Sequence, residues 1–216
     1  MPYVIRPPVR KMSLAGALAM ILLCALATAS PSRADYSTDA VGATAPGCGP
    51  VALSNPFSIF GDYADYSIVD DGHFESGVGG WSLYGAGIVN GNESFRVRSA
   101  SDSKSLSIST WGKAVSGAFC VDTNYPHFRF FAQHSDGPIG LLLVRARWTA
   151  GDGLHEESLA LLRGSQYRSW GATEMLPLAE KVALSESGGT QSVRLVFIPL
   201  AGSWQIDDVY IDPYRR

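Results

Sequence analysis

His127-Phe128-Arg129-Phe130-Phe131-Ala132-Gln133 sets the polar side chains His127, Arg129 and Gln133 on one parity and Phe128, Phe130 and Ala132 on the other, with Phe131 as the exception. Successive side chains of a strand point to opposite faces, so this alternation predicts a strand that is dry on one side. Arg145 and Arg147 alternate in the same way with Val144, Ala146 and Trp148. Further on, Arg194 stands between Val193 and Leu195, and Val196-Phe197-Ile198 follows without a polar residue. That run predicts a strand buried on both faces, with its one charge near an end.

Working outward, short alternating or β-branched runs recur at 66–69, 80–84, 94–98, 105–109, 117–121, 140–149, 158–162, 166–171, 191–199 and 204–211. Between them stand Asn90-Gly91-Asn92, Ser135-Asp136-Gly137-Pro138, Ala150-Gly151-Asp152-Gly153 and Gly188-Gly189, residue types that end strands and form turns. Many short strands with turn signals between them predict an all-β fold, an antiparallel β-sandwich. A helical stretch is expected only near 178–184. Residues 35–63, with Ala45-Pro46-Gly47-Cys48-Gly49-Pro50, read as an irregular arm ahead of a sandwich domain over 64–216.

The first 34 residues differ in kind. Arg6, Arg10 and Lys11 precede an uncharged, Leu- and Ala-rich run from 13 to 29, the layout of a secretory signal peptide with a cut expected after Ala34. A spanning helix wants about 20 apolar residues, so a lasting membrane anchor is not expected. Leu23 ahead of Cys24 is too bulky for lipoprotein processing. Cleavage removes the charges of Arg6, Arg10, Lys11 and Arg33 and moves the net charge from −3 to −7. Nucleic acid is thereby a poor partner, because phosphate binding needs clustered Lys and Arg. Cys48 and Cys120 remain, and in an exported chain such a pair is expected as a disulfide tying the arm to the domain. Closing that loop is worth about 4 kcal/mol on a chain-entropy estimate.

Catalytic signatures are missing. There is no Gly-x-Ser-x-Gly elbow and no phosphate-cradling loop, and His155-Glu156-Glu157 lacks a second zinc-binding His. His73, His127, His134 and His155 are scattered. The adjacent acids Glu156-Glu157 and Asp70-Asp71 would point to opposite faces of a strand, whereas glycosidic chemistry needs two carboxylates facing one bond; both pairs read as solvated turn charges.

Asp71-Gly72-His73-Phe74-Glu75-Ser76-Gly77, followed by Gly80-Trp81, and the closing Trp204-Gln205-Ile206-Asp207-Asp208-Val209-Tyr210-Ile211-Asp212 resemble the first and last strands of carbohydrate-binding jelly rolls of the galactose-binding-like class. Asp71 stands where that class usually has Asn. The chain also resembles a group of uncharacterised secreted actinobacterial proteins through Gly91 to Phe95, Cys120-Val121, Arg129 to Ala132 and the closing Trp-Gln-Ile-Asp-Asp-Val-Tyr. The first resemblance implies a structural calcium ion where first and last strands run side by side, with Glu75 and Asp207 or Asp208 as ligands, since hard cations take several oxygens. It also implies sugar recognition on flat aromatic rings. Trp81 and Trp204 lie within the end motifs and are expected in the core, which leaves Trp111, Trp148, Trp170 and Tyr84 as candidate contacts. The function expected is a secreted, non-catalytic module binding a glycan or cell-envelope polymer. The alternatives are a structural or protein-interaction protein of the envelope and a small secreted hydrolase.

Overall fold

The computed structural model describes residues 51–122, 127–182 and 190–212. The leader, Cys48 and the greater part of the arm lie outside them. The strands in order are β1 (Ser67–Ile68), β2 (Ser82–Asn90), β3 (Lys104–Val115), β4 (Phe119–Val121), β5 (His127–Ala150), β6 (Gly153–Arg163), β7 (Gly171–Ala172), β8 (Leu176–Pro177) and β9 (Gln191–Asp212). Every pairing is antiparallel, and the main path runs β2-β3-β9-β5-β6. β1 and β4 join the two ends of β9, while β7 and β8 join β5.

The sandwich is one sheet folded over on itself. β5 and β9 pair twice, His127 to His134 against Asp212 to Trp204 and Leu142 to Trp148 against Pro199 to Val193, with register shifts between. β3 likewise meets β9 through Leu106 to Ile108 and again through Ala114 and Val115. The strands therefore run out along one layer, bend, and return along the other. Phe128, Phe130 and Ala132 from the first layer and Val144, Ala146, Leu195 and Phe197 from the second share one buried cluster with Trp81 and Trp204. Burying each large apolar side chain is worth about 1.5–3 kcal/mol, so the facing layers supply the main driving force.

At the fold line the backbones come too close for side chains. A Cβ on Gly112 would lie 2.7 Å from the Gly85 carbonyl oxygen, and one on Gly164 would lie 2.8 Å from the Gly140 Cα. Gly202, at φ +65°, would drive a Cβ into the His134 ring and the Asp136 carbonyl. Glycine therefore marks the crossing of β2, β3, β9, β5 and the end of β6, a seam along the folded edge.

Phe131, out of pattern in its own strand, is explained by a second cluster on the outer face of the first layer. It stacks on Phe57 at 5.6 Å and 17°, with Tyr66 and Tyr210 beside it. Arg129, on the same parity, holds its guanidinium 4.1 Å above the Phe57 ring and pairs with Asp62 at 2.6 Å. Residues 54–66 thus cover this face of the sheet.

Four expectations change. Residues 166–171 form no strand: a 3-10 turn covers Gly164–Gln166, and only Gly171 enters β7. The Ser135–Pro138 turn does not end a strand: β5 continues through it as a bend. Residues 94–98 form no strand, because the buried Glu93 carboxylate accepts the N–H of Phe95 at 2.5 Å and of Val97 at 2.8 Å, and Arg96 takes φ +52°. Those donors are then lost to any ladder. The helical expectation near 178–184 reduces to one turn, in which Lys181 and Val182 both donate to the Leu178 carbonyl; residues 183–189 lie outside the described ones.

Candidate functional site

One end of the seam carries an aromatic corner. Between the pairs Tyr84↔Lys113 and Ala86↔Ile108, β2 spends one residue, Gly85, while β3 spends four, 109–112. The excess pushes Trp111 out of the ladder with φ +64° and 70% of its surface open. A left-handed backbone costs a side-chain-bearing residue about 1–2 kcal/mol, and bulky residues rarely accept it. Tyr84 is also 70% exposed. Its neighbour Leu83 packs on the core and Ala114, beside Lys113, is fully buried, so Tyr84 and Lys113 stand on the solvent side of the sheet.

The other two aromatic candidates are spent on packing. Trp148 is 5% exposed within the main cluster and stacks on His155 at 5.4 Å. Trp170 packs against the outer cluster of Phe57, Tyr66, Phe131 and Tyr210. Trp81 and Trp204 are buried, as expected. The structure therefore places Trp111 and Tyr84 at the same irregularity in the β2–β3 pairing, and Trp148 and Trp170 elsewhere. A Trp before a Gly was visible in the sequence; the unequal strand lengths that expose it were not.

Glu156 is no free turn charge. It lies on β6, salt-bridged to Arg145 at 2.6 Å and to Arg147 from the facing strand. Such a carboxylate is committed to cross-strand pairing.

The second grouping is acidic and lies where the first and last strands meet, with Ser67 opposite Ile211 and Ile68 opposite Tyr210. Asp207 is fully buried and spends its carboxylate on the N–H of Glu93 at 3.0 Å and of Asp208 at 2.9 Å. Burial, then the neighbouring Asp208 charge, pushes its carboxyl up to about 9. Asp208, at φ +47° and 1% exposure, has both carboxylate oxygens buried without a donor. Burial and then the charges of Glu93 and Asp102 push it up to about 7. Asp102 is paired with Arg98 at 2.6 Å. Glu75 accepts the N–H of Ser103 at 2.7 Å and of Lys104 at 2.6 Å, pinning its loop to the start of β3; partial burial opposes ionisation, but these donors hold its carboxyl below the ordinary range.

No three His, Cys, Asp or Glu side chains among the described residues converge at metal-binding distance. The chemistry of the donor set still suits a hard cation at one point. An orphaned buried carboxylate with anionic neighbours wants a positive charge, and Asp208 is that group. Asp207 is turned away as a bracket between residues 93 and 208. Glu93, missed in the sequence, was signalled only by its place in Gly-Asn-Glu.

Comparison with known proteins gives likeness of layout only. No family model matches the chain, and no curated protein matches it. Among solved structures, the C-terminal family 22 carbohydrate-binding module of Clostridium thermocellum Xyn10B is 15% identical, at a TM-score of 0.43 over 66% of this chain and 90% of that one. TmCBM61, solved with β-1,4-galactotriose, is 17% identical at 0.40 over 67% and 96%. The CBM22-1 xylan-binding domain of Paenibacillus barcinonensis Xyn10C is 11% identical at 0.44 over 63% and 87%. None of these likenesses carries a site residue across to this chain.

Proposed function

We propose that the domain is a secreted, non-catalytic module that binds a glycan or cell-envelope polymer, with a sugar ring stacking on Trp111 and Tyr84 at the β2–β3 corner. The supporting observation is Trp111 itself, a large apolar ring held open to water on a left-handed backbone by four residues of β3 set against one of β2. Strain of that kind persists where the surroundings over-determine it, and it clusters at ligand sites. An open indole and an open phenol at one irregularity of the pairing each offer a flat apolar surface on which the C–H face of a pyranose would rest, and Lys113 stands across from Tyr84. A glycan array and polysaccharide pull-down with wild type and Trp111→Ala test this reading. Binding that Trp111→Ala removes supports it, and empty results for wild type discard it.

Two supports of the scaffold belong to the same proposal. Asp208 would be the one carboxylate offered to a structural calcium ion, which would supply charge neutralisation and no reaction step. Cys48 and Cys120 would form a disulfide after export, anchoring the arm to β4. Mass spectrometry of the mature protein with and without reductant tests the latter.

A second reading, protein recognition in the envelope, is favoured by a different face. Ile59, Phe60, Tyr63 and Phe95 are exposed over the outer cluster, and Phe60 meets Phe95 edge-on at 4.9 Å. A partner protein in place of a glycan would cover this patch.

A further inference from the structure

The far end of the seam opens into a cleft of about 620 Å³ between residues 134–141 of β5 and residues 163–168. Arg163, at the end of β6, and Arg168 both line it and both are exposed. Neither makes an ion pair or hydrogen bond with another described residue. Asp136 brings a single exposed carboxylate to the same cleft, and Pro138 and Ile139, the latter 65% exposed, bring an apolar edge. The floor is rigid. The His134 ring fills the space that Cβ atoms on Gly140 and Gly164 would need, lies 5.5 Å from Trp204, and its backbone N–H donates to the Tyr167 carbonyl at 2.7 Å.

We propose that this cleft is a subsite for an acidic sugar. A guanidinium offers a planar fork of donors that matches a carboxylate or sulfate in two-point contact, and two of them in one concavity hold one anionic group between them. Asp136 accepts from ring hydroxyls, and Ile139 meets the ring's apolar face. The chain carries net charge −3, or −7 after the expected cleavage, and would repel an anionic polymer at long range, so two arginines without a partner among the described residues would reverse the field inside the cleft. The assignment rests on the glycan reading above but uses none of its residues. From β3, which carries Trp111, to β6, which ends at Arg163, the path crosses three inter-strand spacings, roughly 14 Å at about 4.8 Å each, so substituting the arginines is expected to leave Trp111 and Tyr84 in place.

Calorimetric titration separates the two sites. The probes are a galactose tetrasaccharide, a galacturonic acid tetrasaccharide, a sulfated galactose tetrasaccharide and inorganic sulfate, each against wild type, R163Q/R168Q and W111A. The acidic tetrasaccharides are expected to bind at least about tenfold more tightly than the neutral one, with a preference that shrinks as salt rises and vanishes in R163Q/R168Q. Whichever acidic arm shows the larger preference identifies the carboxylate or the sulfate. Equal affinity for neutral and acidic sugars, a preference that survives R163Q/R168Q, or capture of inorganic sulfate with no saccharide preference overturns the subsite. In each of those cases, neutral binding lost in W111A leaves the glycan reading standing. No binding of any sugar overturns both.

Discussion

The ring of Phe130 meets that of Phe197 edge-on at 5.2 Å, although neither is the other's ladder partner: Phe197 pairs with Val144, and the neighbours of Phe130 pair with Tyr210 and Asp207. Two strands that hydrogen-bond to each other along the sheet thus also touch across its fold. Because the contact spans the layers, it reports on the sandwich as a whole. Phe197→Ala is expected to cost about 3–5 kcal/mol in chemical denaturation. In a double-mutant cycle with Phe130→Ala, a coupling of about 0.5–1.5 kcal/mol is expected. Strict additivity would mean that the layers do not face each other at this point.

On the proposed function, Trp111 is where binding and stability are expected to separate. The side chain is open to water and its backbone is left-handed, so Trp111→Gly removes the ring and relieves the backbone together. The melting temperature is expected to stay the same or rise, since about 1–2 kcal/mol of backbone strain is released against glycine's entropy cost of about 0.5–1. Glycan affinity is expected to fall at least about tenfold in the same protein. A variant that melts much earlier would show the ring to be structural.

Asp207 and Asp208 set a pH dependence. Burial raises both carboxyls, to about 9 and about 7, from an unfolded value of 3.8. The folded state therefore holds more protons than the unfolded state between those values, and stability falls as pH rises from about 4 through about 7 and on towards 9. Metal-free protein is expected to melt progressively earlier over that range, and added calcium is expected to offset the loss by binding the folded state. Asp208→Asn should flatten the lower part of the profile, stabilise the metal-free protein at pH 8 by about 1–3 kcal/mol, and abolish the calcium response. Scanning calorimetry with chelator and with calcium reads all three.

Gly202→Ala tests the seam. Its φ of +65° and the positions of the His134 ring and the Asp136 carbonyl leave a methyl group no room. A loss of about 2–5 kcal/mol is expected in urea denaturation, from left-handed backbone strain together with overpacking. Gly151→Ala, where a Cβ meets nothing within 4 Å, is the matched control and should change stability little.

Much of the fold was legible in side-chain parity. Phe128, Phe130 and Ala132 face the core as their alternation says, and Val196 is buried on the far face from Leu195 and Phe197. What parity does not encode is the bend. Ser135-Asp136-Gly137-Pro138 carries the residues of a chain reversal, yet β5 runs through it as a bend, with Gly137 held close to Gly202 of the neighbouring strand. The site was half visible for a similar reason. Trp111 and Tyr84 were named as aromatic candidates alongside Trp148 and Trp170, but exposure depends on which strand runs long against which, a pairwise property. Asp208 stood out in its motif, whereas the roles of Glu93 and Asp207 follow from backbone N–H groups that no side-chain pattern announces.

β9 is the strand on which β1, β3, β4 and β5 all converge, yet it is the last of the nine in chain order. The β2–β3 and β5–β6 pairs can form before it is made, but the sheet that joins them cannot close without it. The central strand of the sheet is thus also the last one to leave the ribosome.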